Sequence, residues 1–111
     1  MKYPKEYLDE IKTRLKVSTV VSKSVNLKKR GKEFVGLSPF KTEKTPSFTV
    51  NDEKGFYHCF STTEHGNIFD FIMKTQNLKF GEAVKYLASL AGMQPYTFSK
   101  KDEEREDKLK D

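Results

Sequence analysis

One cysteine, Cys59, is all that the 111 residues contain, and a lone cysteine cannot close a disulfide within the chain. That excludes the disulfide-stapled secreted scaffolds and predicts a reducing, cytosolic setting. Apolar runs are equally scarce. Only 35% of residues are hydrophobic, against 33% charged, and no stretch approaches the roughly 20 apolar residues of a membrane-spanning helix. The opening MKYPKEYLDE is too charged for a signal peptide. These shortages predict a soluble cytoplasmic domain with one small core, of the size that gains from a staple such as a metal.

Catalytic constellations are missing too. The 6 glycines form no phosphate-cradling loop of the Walker type, and the acidic residues are scattered rather than paired for metal binding. His58 and His65 each lack an evident orienting partner, so neither reads as a catalytic base. No active site is predicted within the chain.

What is present is positive charge. The net charge is +5 at pH 7, and residues 99–111 (SKKDEEREDKLKD), with five basic and six acidic groups, leave +6 on the other 98 residues. Between residues 23 and 54, eight Lys and Arg side chains stand against four acids. A basic zone of this kind suits a polyanion partner, and equally a solvated lysine surface.

Tyr7, Leu8, Ile11 and Leu15 recur at helical spacing opposite charged residues, which predicts an amphipathic helix over 4–16 opening at Pro4. Ser18 is expected to cap a short second helix over 19–23. Residues 25–29 alternate apolar and polar, Arg30-Gly31-Lys32 supplies a tight turn, and 33–37 return as the partner strand. Lys28, Lys29, Arg30 and Lys32 then surround a hairpin tip. Pro39 interrupts the pattern, 42–46 form a polar loop, and strands over 47–51 and 56–60 make a second hairpin about a polar turn. On the last strand Phe56, His58 and Phe60 share one face and Tyr57 and Cys59 the other. Asn67 is expected to cap a helix over 68–75, and a final helix over 80–91 stops at Gly92. The tail from residue 99 has no apolar anchors and reads as a linker.

Two hairpins with short knuckles are the layout of a zinc ribbon, where a metal makes up for a small core. The ligand positions of such a site fall on Ser38, Lys41, Cys59 and Thr62. Only Cys59 is a zinc ligand by chemistry, the Lys41 cation repels the metal, and strand alternation points His58 away from Cys59. The expectation is a ribbon without zinc, with Cys59 a small buried hydrophobe.

Residues 34–73, FVGLSPFKTEKTPSFTVNDEKGFYHCFSTTEHGNIFDFIM, resemble the N-terminal zinc-ribbon domain of bacterial DnaG-type DNA primases. That family runs Cys-Pro-Phe-His, then Glu-Lys-Thr-Pro-Ser-Phe, then Phe-Tyr-His-Cys-Phe-x-Cys-Gly-x-x-Gly-Asn and an amphipathic helix. Pro39-Phe40, residues 43–48 and 56–60, and His65-Gly66-Asn67 keep this pattern at the family's spacing. The likeness spans about residues 3–96, while three of the family's four ligand positions are replaced. Unchanged loop lengths imply that the fold persists, with Ser38 hydrogen-bonded to Thr62, Cys59 packed beside them and Lys41 turned outward.

The resemblance implies an α+β domain over 1–98: a small antiparallel sheet of zinc-ribbon type, flanked by N-terminal and C-terminal helices and without zinc. It implies a module that binds single-stranded template DNA and supports the start of RNA primers. Catalysis would belong to a separate polymerase domain using a divalent metal such as magnesium, with 99–111 beginning the connection to it. Further implied partners are that domain, in cis or in trans, and the replicative helicase through the parent protein, with no membrane. On this sequence the cationic track would be Lys28, Lys29, Arg30, Lys32, Lys44 and Lys54, with Thr45 and Ser47 bonding phosphate. Tyr57 or His58, each with a polar end, would stack a base, while Phe34, Phe40, Phe48 and Phe60 are assigned to the core. Two other readings stay open: a salt-insensitive module that docks a helicase or polymerase, and a ribbon that prefers duplex DNA.

Overall fold

The computed structural model describes residues 3–97, so the expected linker from residue 99 lies outside the described residues. Two helices, α1 (Lys5–Arg14) and α2 (Val17–Val21), lead into strands β1 (Lys28–Arg30), β2 (Glu33–Gly36), β3 (Phe48–Asn51), β4 (Phe56–Cys59) and β5 (His65–Gly66). Helices α3 (Ile68–Gln76) and α4 (Phe80–Leu90) follow. The strands form one antiparallel sheet in the order β1-β2-β3-β4-β5. This is the expected α+β arrangement.

The sheet buries one face against the helices. Phe48 and Val50 on β3 and Tyr57 and Cys59 on β4 are buried there with Ile11, Phe71 and Leu87. The Phe48 and Tyr57 rings stack at 5.4 Å, and Phe71 meets Tyr57 edge-on at 5.6 Å. Each such side chain contributes about 1.5–3 kcal/mol by leaving water, so this aromatic trio anchors a small core.

Two local expectations change. The strand over 25–29 begins only at Lys28, because the Val25 N–H donates to Val21 O at 2.8 Å and so closes the turn after α2. Ser18 does not cap the second helix. It lies inside α2, where its N–H and hydroxyl donate to the Asp52 carboxylate at 2.8 and 2.5 Å. A carboxylate from the β3–β4 turn thus satisfies an orphan donor at a helix N-terminus, a position that also favours negative charge.

The entry to α3 is as expected. The Asn67 side chain accepts from the N–H groups of Phe69 and Asp70, and the Asp70 carboxylate accepts from the Asn67 N–H. Together they form a capping box. Gly66 makes it possible: a Cβ there would stand 2.5 Å from Asp70 Oδ2.

Candidate nucleic-acid interface

Because side chains alternate along a strand, burying Phe48, Val50, Tyr57 and Cys59 commits Thr49, Asn51, Phe56 and His58 to the other face. The register aligns Lys28, Val35, Thr49, His58 and His65 in one row across all five strands. The β4 side chains dominate this outer face. Phe56 is 55% exposed and Phe60, just past the strand, 67%. His58 sits between them, its ring 4.4 Å from that of Phe60 and 6.1 Å from that of His65.

Two assignments reverse here. Tyr57, expected as an exposed base contact, is 1% exposed, and its buried hydroxyl makes no hydrogen bond of good geometry. Phe60, expected in the core, is the most exposed of the large apolar side chains named here. Alternation itself carried the signal: once Cys59 is inward, its neighbour Phe60 points out. His58 keeps its expected place, half-buried on the outer face.

Cations bracket this row. Lys28, Lys29, Arg30 and Lys32 are exposed about the two-residue turn Gly31-Lys32, where Gly31 takes φ 67°. Antiparallel register puts the β3–β4 turn, with exposed Lys54, at that same end of the sheet. At the opposite end Lys44 is exposed, and with Lys28, Val35, Leu37 and Pro46 it lines a groove of about 490 Å³. None of these cations is drawn into an ion pair among the described residues. Thr45 is exposed beside Lys44. Ser47 differs from expectation, because its hydroxyl is turned inward to the Glu43 carboxylate at 2.7 Å.

The second knuckle is a tight turn. The Cys59 N–H donates to Glu64 O and the Thr63 N–H to Cys59 O, each at 2.7 Å. Glu64 is tied in turn to Lys74 on α3. Thr63 takes φ 63°, a left-handed conformation that costs a β-branched residue about 1–2 kcal/mol. Thr63→Gly is therefore expected to stabilise the chain by about 1 kcal/mol, net of the extra chain entropy of glycine. A chemical denaturation midpoint measures it, and a fall in stability would refute the strain.

A five-stranded antiparallel sheet with a knuckle at each hairpin and helices on one face defines a domain of the zinc-ribbon class. The chain belongs to the CHC2 zinc finger family, whose profile matches residues 3–104. It is 43% identical over 94 residues to a DNA primase of Haemophilus influenzae, covering 84% of this chain and 16% of that protein. A DNA primase of Pseudomonas putida is 46% identical over 91 residues, covering 82% and 14%. The chain thus spans about a sixth of the length of such relatives. Among solved structures, the Aquifex aeolicus primase, described as its zinc-binding and RNA polymerase domains, superposes with a TM-score of 0.76 at 28% identity, covering 86% of this chain and 24% of that one.

The family's metal does not fit the residues found here. Lys41 is exposed, and Thr62 Oγ1 accepts from the Glu64 N–H at 3.3 Å. Cys59 Sγ donates to Ser38 Oγ at 3.2 Å, and that oxygen also accepts from the Phe40 N–H. Two ligands of a tetrahedral zinc stand roughly 3.5 Å apart with the ion between them, not in direct hydrogen bond. No group of three or more His, Cys, Asp or Glu among the described residues is placed to hold a metal ion.

Proposed function

We propose that this chain is the single-stranded template-binding module of a bacterial DNA primase, supporting the initiation of RNA primers. The observation that carries the reading is the outer sheet face, where Phe56, His58 and Phe60 lie between cations at both ends. Single strands are held this way, by cations along the phosphates and by ring faces under the bases, with no need for a fixed sequence. Lys28, Lys29, Arg30, Lys32 and Lys54 serve the phosphates at the hairpin end, and Lys44 with Thr45 at the knuckle end. Phe56, His58 and Phe60 serve the bases, and Tyr57 and Ser47 leave the contact set. Family membership supports the setting in DNA replication. Primer synthesis then belongs to a polymerase domain acting in cis or in trans with its own divalent metal. The helicase meets the parent protein, and the whole works in the cytoplasm.

The experiment is binding of a labelled single-stranded oligonucleotide across a salt series. With about five phosphates neutralised, affinity falls on the order of 100-fold between about 50 and 200 mM salt. A flat response, or no binding at low salt, sinks the reading and favours protein docking on the same face. Tighter binding to duplex favours the duplex reader.

A further inference from the structure

We infer that a brace of one carboxylate, three serine hydroxyls and the Cys59 thiol holds the two knuckles together without zinc, so that this ribbon folds independently of metal. In this brace Glu43 and Ser47 belong to the family pattern and Ser38 stands at a vacated ligand position. The brace is not the Ser38–Thr62 pairing that the sequence suggested. Its centre is Glu43, on the loop between β2 and β3. Glu43 Oε2 accepts from the Ser38 N–H at 2.8 Å and from the Ser47 N–H at 3.1 Å, and Oε1 accepts from the Ser47 hydroxyl at 2.7 Å. One carboxylate therefore gathers the first knuckle and the start of β3 around itself. A charged acceptor with several donors makes the stronger class of hydrogen bond. The Ser47 hydroxyl and the Ser38 N–H accordingly hold the Glu43 carboxyl below the usual carboxylate range.

Ser47 then links to the second knuckle. Its Oγ lies 2.8 Å from Ser61 Oγ. Cys59 Sγ stands among the three hydroxyls, 3.2 Å from Ser38, 3.3 Å from Ser61 and 3.9 Å from Ser47. The two knuckles are thereby joined through side chains where a zinc ribbon joins them through an ion. Ser61 rather than Thr62 closes the circuit, because it is Ser61 that reaches the Ser47 hydroxyl. Thr62 caps its own turn instead.

A residual zinc site would need soft donors converging on a point, and only Cys59 qualifies. The brace also explains how a small core holds without a structural metal: among the described residues, none of its buried side-chain oxygens is left without a hydrogen-bond partner. This inference does not depend on nucleic-acid binding and stands or falls separately from it.

The test is made on the whole purified chain. Metal analysis is expected to find well under one zinc per chain, and melting followed by circular dichroism is expected to be the same with and without EDTA. Glu43→Gln, which keeps the shape but loses the charge, is expected to lower the melting temperature by about 5 °C, and Glu43→Ala by about 10 °C. Ser61→Ala, a milder cut at the far side of the circuit, loses a few degrees, while Glu33→Ala on the exposed face of β2 changes nothing. Stoichiometric zinc, or a melting temperature that EDTA lowers, overturns the inference. So does wild-type melting of Glu43→Gln and Ser61→Ala. If Glu43→Ala proves unfolded, the other two variants decide.

Discussion

Replacing Phe56 and Phe60 together by alanine is expected to weaken single-strand binding on the order of 100-fold, while Tyr57→Phe leaves it unchanged. A base stacked on an aromatic ring is worth about 1–3 kcal/mol when the ring is removed. Two such losses near the lower end of that range multiply to two decades. The fold is not at risk, because both rings are more than half exposed and surface truncations of this kind usually cost about 0.5 kcal/mol or less. Tyr57 is the informative control. Its residue type and its place between Phe56 and His58 suggest a contact, but its ring is packed between Phe48 and Phe71.

Salt separates the two kinds of contact. The aromatic double variant should keep the wild-type slope of log affinity against log salt, since the same phosphates remain neutralised. Lys28→Ala with Arg30→Ala should instead flatten that slope by about 1.4, at about 0.7 per lost phosphate contact on a single strand. Fluorescence anisotropy with a labelled oligonucleotide measures both quantities in one titration series. A double aromatic variant that binds like wild type would remove the outer face from the interface, whatever the lysines do.

The contrast between Tyr57 and Phe60 also shows what the sequence could and could not convey. Alternation put Tyr57 with Cys59 and Phe56 with Phe60, and that pairing is what the sheet displays. Alternation alone does not say which set faces the helices, and Tyr57 and His58, neighbours on opposite faces that both carry a polar end, gave no way to choose. The sheet buries Tyr57 and leaves His58 on the outer face. The basic hairpin tip was legible, because Gly31 and the charges around it are local facts. So was the N-cap of α3, written in Asn67. Contacts between distant residues were not. Asp52 at the start of α2 lies 34 residues from Ser18, and nothing in the sequence joins Glu43, Ser47 and Ser61 until the fold brings two knuckles together. The family pattern marked the four ligand positions, three of which have changed. It also includes Glu43 and Ser47, but says nothing of the hydrogen bonds by which they join the knuckles.

If the knuckles have kept the backbone of a metal site, giving them back their ligands should restore the metal. Ser38→Cys, Lys41→His and Thr62→Cys in one chain, with native Cys59, complete the family's ligand pattern, and this variant is expected to bind one zinc per chain. The backbone supports it: Thr63 already holds the left-handed turn at the position where the family has glycine, and the overall likeness to a zinc-binding primase is close at a TM-score of 0.76. Two consequences of opposite sign follow. Without zinc the variant should melt below wild type, because Ser38→Cys removes the hydroxyl that accepts from the Phe40 N–H and from Cys59. With free zinc about a thousandfold above the dissociation constant, binding to the folded state alone adds about 4 kcal/mol. For a domain of this size that is a rise on the order of 20 °C. Melting curves with zinc and with EDTA, beside metal analysis, measure the swing that wild type should lack. A variant that takes up no zinc would mean that the knuckles have moved out of tetrahedral reach. The loss of the metal would then lie in the backbone as well as in the side chains.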